Sequence, residues 1–238
     1  MSDPVPPTDQ ELSVTPPPPD SVARISVRTA VILLIYTVSF TALMAVTYFA
    51  TKLAIEASAQ NEKLRLIGEV LPQDTYDNRL LDDAITLPPL PALGLETATK
   101  VYRARRGGQA VALVLEAAAP DGYSGRVGLL LAVAPDGRLL AQRVTEHKET
   151  PGLGDYIDPK KDKNKQSPWI TQFDGAGVDA ARGGNWKVKK DGGRFDARAG
   201  ATISARAVTN ASGRALLWTT EHQAALFALP SGRKYEEK

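Results

Sequence analysis

The period of the hydrophobic positions changes along the chain. From Ala30 to Ala50 no residue is charged, and these 21 residues at about 1.5 Å per residue reach across a bilayer core of about 30 Å. Tyr36, Tyr48 and Phe49 lie toward the ends of this run, where interfacial aromatic residues collect. Beyond it, Ile55, Ala59, Leu66, Ile67 and Val70 stand among charges and predict a membrane-proximal helix over 55–71, stopped by Pro72. The period then shortens. Segments 100–105, 110–116, 126–134 and 138–144 predict strands, with Pro135-Asp136-Gly137 as a hairpin turn. Leu129-Leu130-Leu131 is continuous rather than alternating, as expected of a strand covered on both faces. A helical period returns with Ile203, Ala207, Ala211, Ala215 and Trp218.

These elements predict an α+β protein: a single N-terminal transmembrane helix followed by one domain in which an antiparallel sheet is packed by helices. The expected divisions are a Pro-rich disordered tail over 1–29, the transmembrane helix over 30–50, a membrane-proximal helix and connecting loop over 51–98, and the main domain over 99–238. Pro88, Pro89 and Pro91 mark the stretch Leu87 to Pro91 as loop. A cleaved signal peptide is the rival to an anchor, with Ala57-Ser58-Ala59 as a processing site. The apolar run is too long for a signal core and ends well before Ala59, which favours the anchor.

Composition then removes several chemistries. With no Cys and only His147 and His222, the chain lacks ligands for an iron–sulfur cluster, a zinc ribbon or a disulfide. Lys and Arg exceed Asp and Glu only slightly, 29 against 27, so no polyanionic partner is demanded. The basic run Asp158 to Lys165 is interrupted by acids and holds no aromatic residue, which fits a solvated loop better than a nucleic-acid surface. No Gly-x-Gly-x-x-Gly follows a strand as a dinucleotide site would require. No Asp, Glu, Lys, Arg or His lies within the anchor, so an ion path is not expected there.

Two short segments carry the candidate chemistry. In Asp196-Ala-Arg-Ala-Gly200-Ala201-Thr202-Ile203-Ser204, Thr202 is the N-cap or first-turn residue of the last helix. A helix start offers unpaired N–H groups and about half a positive charge, which favour a phosphate by about 0.3–1 kcal/mol. Gly200 and Ala201 leave the approach free of bulk, and Ser204 and Arg206 are near enough in sequence to add donors. An ordinary capped helix with nothing bound fits the same pattern. The second segment is Thr145-Glu-His147-Lys148-Glu149-Thr150-Pro151-Gly152-Leu153-Gly154, which has the composition of a shaped loop. For His147 a surface salt bridge or strand-end hydrogen bond is expected, and for Trp169 and Trp186 a place in the core.

Together with Gly122-Tyr123-Ser-Gly125, Pro168-Trp169 with Phe173, and Trp186 to Gly193 leading into Phe195-Asp196, these segments resemble the FMN-binding domain of the G-type subunit of the Rnf electron transport complex. The resemblance covers most of the chain after Ile55. It implies an FMN attached through a phosphoester to Thr202, with Gly200, Ala201 and Ser204 around the attachment point. It also assigns the loop Glu149, Thr150, Gly152, Leu153 and Gly154 to the flavin ring, with Thr150 and Leu153 in contact, while Lys187, Lys189 and Asp191 shape the attachment loop. The family has Ser or Thr where this chain has Ala199, which loses one possible hydroxyl contact and leaves the attachment residue in place.

The same resemblance implies an electron carrier within a larger ion-translocating ferredoxin:NAD oxidoreductase. Its partners would be the other membrane and peripheral subunits and, during maturation, a flavin transferase that uses FAD. Arg24 and Arg28 before the anchor nearly balance Lys52, Lys63 and Arg65 after it, so charge leaves orientation open. A cytoplasmic N-terminus and a periplasmic flavin domain at a bacterial inner membrane follow from the resemblance. Alternatives are the C-type subunit of a sodium-translocating NADH:quinone oxidoreductase and, from another class, a cofactor-free anchored periplasmic binding or scaffold domain.

Overall fold

The computed structural model describes residues 19–236, apart from a few side chains in the first helix. It divides into two compact units, Met1–Ala59 and Gln60–Lys238. Helix α1 runs over Pro19–Gly68. Between Asp20 and Ile67 the sequence has neither Gly nor Pro, so nothing interrupts helical hydrogen bonding, and Pro19 sits where a missing N–H does no harm. The segments expected as tail residues 19–29, transmembrane helix 30–50 and a separate helix over 55–71 are therefore one element; residues 1–18 lie outside the described residues. Within it Val22–Lys52 is long and apolar enough to cross a membrane. Its large side chains, Val31 to Phe49, are exposed all round the helix, as suits contact with lipid. Thr37, Thr47 and Thr51 donate their hydroxyls to carbonyls one turn back, which removes unpaired polar groups from that surface.

The second unit is built on a five-stranded antiparallel meander in the order β1 (Ala84–Leu87), β2 (Thr99–Arg106), β3 (Gln109–Gly122), β4 (Gly125–Val133), β5 (Leu139–Glu146). Both faces are covered. Leu129 and Leu131 join the larger core with helix α3 (Thr202–Ala228), whereas Leu130 faces the opposite way onto Ile67, Val70 and Leu71 around the end of the long helix. The continuous leucine run thus fills two cores, as its pattern predicted. Small α3 residues, Ala205, Ala207, Ala211, Ser212 and Ala215, are buried against the sheet and let the helix lie close. Short helix α2 (Val178–Arg182) and an aromatic group of Trp169, Phe173, Trp186 and Phe195 complete that layer.

The second unit begins at Gln60, and residues 60–98 supply part of the second core. They also supply β1, in a stretch expected to be connection and loop. β1 is only four residues long and owes its form to its partners: β2 on one side and, on the other, the C-terminal segment, where Tyr235 N donates to Thr86 O at 2.8 Å. β3 continues past Glu116 to Gly122 through Ala117-Ala118-Ala119, small residues with little strand signal of their own. The other strand ends move by one or two residues.

One partly buried ionic cluster fixes the far end of α3. Arg103, almost wholly buried, donates to the carbonyls of Leu226 at 3.1 Å and Leu229, and to Asp83 and Ser231. It therefore satisfies carbonyls that a helix C-terminus leaves unpaired. Asp83 also accepts from Arg105 at 3.0 Å. Burial alone would raise the Asp83 carboxyl, but the Ser231, Arg105 and Arg103 hydrogen bonds outweigh it and hold it below the usual carboxylate range. A pKa depressed by folding adds stability above the unfolded value of about 3.9, and that contribution is lost as pH falls through the folded value. Asp83→Ala should therefore cost about 3 kcal/mol at neutral pH, and denaturant titration of the detergent-solubilised chain should find the cost shrinking below about pH 4. A cost that stays constant into acid would contradict this role.

Candidate cofactor site

Three segments distant in sequence converge beside the start of α3. The first is the Tyr123-Ser124 turn joining β3 to β4; the second is the loop after β5, 147–154; the third is the approach to α3, 196–204. Their meeting point is the carboxylate of Glu149, only 4% exposed. Glu149 Oε1 accepts from Ser124 N at 3.2 Å, and Oε2 accepts from the Ser204 hydroxyl at 2.6 Å. Glycine flanks it on both sides. A Cβ on Gly122 would stand 2.8 Å from Oε1, and one on Gly154 would stand 2.8 Å from Oε2 and 2.6 Å from Ser204 Oγ.

Above this junction lies a cavity of about 220 Å³ lined by Tyr123, Glu149, Thr150, Leu153, Gly154, Gly200, Ala201, Ile203 and Ser204. Its rim is unusual. Among the described residues of the second unit, the exposed large hydrophobic side chains are Tyr123 (67%), Leu153 (55%) and Ile203 (46%), and all of them line this cavity. Apolar area left in water at one concave place marks a surface meant to be covered.

The loop takes its shape from internal hydrogen bonds. Leu153 N and Gly154 N both donate to Thr150 O at 3.1 Å, and Gly152 N donates to Asp155 Oδ1 at 2.9 Å. His147 Nδ1 accepts from Glu149 N at 3.2 Å, with Nε2 3.9 Å from Asp158, so His147 braces the loop from the strand end. At the helix, Gly200 has φ +84°, a conformation that favours glycine. Thr202 follows as the first residue of α3, partly exposed, and no side chain caps the helix. The unpaired N–H groups of the first turn thus remain available to an anion.

The turn that leads into α3 is held from beneath by Tyr156. Its hydroxyl donates to Ala201 O at 3.3 Å and accepts from Arg198 N at 3.1 Å. Burial lifts this phenol above its ordinary value, which keeps it a neutral donor. The Arg198 guanidinium lies 4.5 Å over the Tyr156 ring and pairs with Asp162. Asp162 is fully buried and also accepts from Trp169 N at 2.7 Å and Asn164 N at 2.9 Å. Burial would raise its carboxyl, but these donors and Arg198 together hold it below the usual range. Upstream, Trp169 Nε1 donates to Asp196 O at 2.6 Å and Asp196 N donates to Gln172 at 2.6 Å.

Seven of the sequence candidates, Glu149, Thr150, Leu153, Gly154, Gly200, Ala201 and Ser204, line this one cavity. Thr202 stands beside it between two lining residues, and Gly152 forms the loop's turn without lining it. Two donors expected at the helix start are engaged elsewhere. Ser204 donates to Glu149, and Arg206 pairs with Asp191 at 2.5 and 2.7 Å. That pair and the contact of Lys189 with Asp196 at 2.7 Å brace the neighbouring loop. Tyr123 and Ile203 were not among the candidates. Tyr123 has a signal, an aromatic residue in a glycine-bounded turn; Ile203 matches the helix's apolar period, which by itself groups it with the buried face. The basic loop 158–165 has exposed lysines, yet its Asp162 is an internal anchor, a role that an acid within a charged run does not advertise.

The chain matches the FMN-binding domain family over residues 122–217 and the RnfG N-terminal region over residues 22–70. The G subunit of the ion-translocating oxidoreductase complex from Pseudoalteromonas atlantica is 38% identical over 205 residues, 86% of this chain and 93% of the relative. That of Pseudomonas aeruginosa strain UCBPP-PA14 is 40% identical over 205 residues, covering 86% and 94%. That of Shewanella oneidensis is 36% identical over 204 residues, covering 86% and 94%.

The packing around Glu149 leaves no room for a methyl group at Gly154. Gly154→Ala should destabilise the domain by about 1–3 kcal/mol, read as a lowered thermal midpoint, and should disturb the cavity that Leu153 and Ile203 line. An unchanged midpoint would show that the junction is looser than its distances imply.

Proposed function

The chain belongs to the G-subunit family of ion-translocating oxidoreductase complexes, and from that premise we propose that it is a membrane-anchored electron carrier with FMN held covalently on Thr202. The observation that carries this reading is the cavity at the start of α3, where the domain's exposed apolar side chains gather. A planar ring needs an apolar bed, and a phosphate needs donors. Leu153, Tyr123 and Ile203 offer the first; the uncapped first turn of α3 offers the second. The cavity is smaller than the roughly 300 Å³ at which pockets begin to enclose a small ligand, which suits a cofactor kept by a tether rather than by engulfment.

FMN, when bound, supplies the capacity to take up and release electrons singly; the chain supplies its tether, its seat and the surrounding field. In attachment, an Oγ–phosphorus bond forms at Thr202 and the phosphoanhydride of FAD breaks. AMP leaves, the hydroxyl proton passes to solvent, and a separate flavin transferase brings FAD to the site. Of the hydroxyls in the first turn, that of Ser204 is buried and bonded to Glu149, while Thr202 is partly exposed. This difference favours Thr202 as acceptor. Thr150 and the Glu149 carboxylate face the seat, Gly152 and Gly154 shape it, and Gly200 and Ala201 leave its approach open.

The partners in this reading are the other membrane and peripheral subunits of an Rnf complex, which hold the ferredoxin and NAD chemistry and the ion path. The anchor sits in a bacterial inner membrane with its N-terminus cytoplasmic and the flavin domain periplasmic. The match of residues 22–70 to the RnfG N-terminal region favours the Rnf protein over its sodium-pumping relative. Ala199 is exposed and lines no part of the cavity, which argues against a decayed, cofactor-free site.

Two variants test the choice of hydroxyl. In cells containing the transferase, Thr202→Ala should abolish flavin fluorescence in a denaturing gel while leaving stability within about 0.5 kcal/mol. Ser204→Ala should keep fluorescence on the band. Fluorescence that survives Thr202→Ala, or vanishes only in Ser204→Ala, would move the tether elsewhere.

A further inference from the structure

We infer that Tyr156 is a positioning residue for covalent flavin attachment, acting through its hydroxyl on the turn that presents Thr202. The inference rests on Thr202 being the acceptor. Three observations support it. A single phenol oxygen bonds both ends of the turn, Arg198 N at 3.1 Å and Ala201 O at 3.3 Å, so it sets the path of the backbone immediately before Thr202. Tyr156 itself lies in the short helical turn Asp155–Ile157 that directly follows Gly154, so one short piece of chain joins the flavin seat to the turn before Thr202. Finally, the turn has few restraints of its own. Gly200 lacks a side chain, Ala199 is exposed, and the internal bond Ala201 N to Arg198 O at 3.1 Å closes it without fixing where it sits.

Arg198 and Asp162 extend the same clamp. The guanidinium covers the Tyr156 ring and ends on a buried carboxylate that is itself held by two backbone N–H groups. A hydroxyl must meet phosphorus in line with the departing oxygen, and misplacement by about 1 Å can cost two orders of magnitude in rate. A turn free to shift would leave Thr202 folded into its helix and yet poorly presented.

Tyr156→Phe tests this because it keeps the ring under Arg198 and removes only the oxygen. The full chain, made without flavin and reconstituted in detergent, is incubated with purified transferase and FAD, and covalent flavin is followed by fluorescence after denaturation. The expected result is a rate at saturating FAD at least tenfold below wild type, with the KM for FAD unchanged and the thermal midpoint within a few degrees. A wild-type rate in Tyr156→Phe would overturn the inference, and so would a slower rate matched by an equal loss of folded protein. If that variant cannot be isolated folded, Arg198→Lys replaces it: it keeps the charge but gives up the planar stack and fork, and the rate should again fall at saturating FAD. Failure of the wild-type chain to take up flavin at all would instead sink the reading of Thr202 as acceptor.

Discussion

The Glu149 carboxylate ties the β3–β4 turn, the loop after β5 and the first turn of α3 to one another, and the candidate site exists only because those segments meet there. A buried charge is costly unless its lone pairs are met. Here a backbone N–H and a hydroxyl meet them, and glycines at 122 and 154 provide the space. Loss of the Ser204 hydroxyl leaves Oε2 without that donor, and a side chain at 122 or 154 clashes. The same contact decides which hydroxyl stays available, since it takes Ser204 and leaves Thr202.

The rest of the domain reads as support for that junction. Small residues let α3 lie close on β3 and β4, Arg103 closes its C-terminal end, and Tyr156 with Asp162 and Arg198 holds the turn before its first residue. The helix is thus fixed at both ends and along one face. A rigid frame of this kind holds a site's geometry better than loops alone. Against it, Tyr123, Leu153 and Ile203 stand out as apolar surface that folding leaves uncovered around one cavity.

Much of this was legible in the sequence, for identifiable reasons. The leucine run at 129–131 announced a strand covered on both faces, and the amphipathic period after Thr202 announced α3, because both depend on local pattern. The loop 149–154 and the Gly-Ala-Thr segment were recognisable from composition and resemblance. What escaped depends on partners far along the chain. β1 takes its form from β2 and the C-terminal segment; Asp162 is buried by Arg198 and Trp169; the hydroxyl of Ser204 is claimed by Glu149, and Arg206 by Asp191. Ile203 misled because the periodicity that marks a buried face cannot distinguish a residue at its open end. The anchor and the next helix looked separate because their hydrophobicity differs, whereas no Gly or Pro between Asp20 and Ile67 breaks the helix that joins them.

The central claim is that the first turn of α3 carries the cofactor. Trypsin cleaves after Arg198 and Arg206 and releases Ala199 to Arg206, a peptide containing both Thr202 and Ser204. Fragmentation mass spectrometry of this peptide, from denatured protein made alongside the transferase, addresses the claim most directly. The account predicts the mass of FMN on the peptide, less one water, with fragment ions assigning it to Thr202. An unmodified peptide from flavin-replete cells, or FMN on another peptide, would contradict it.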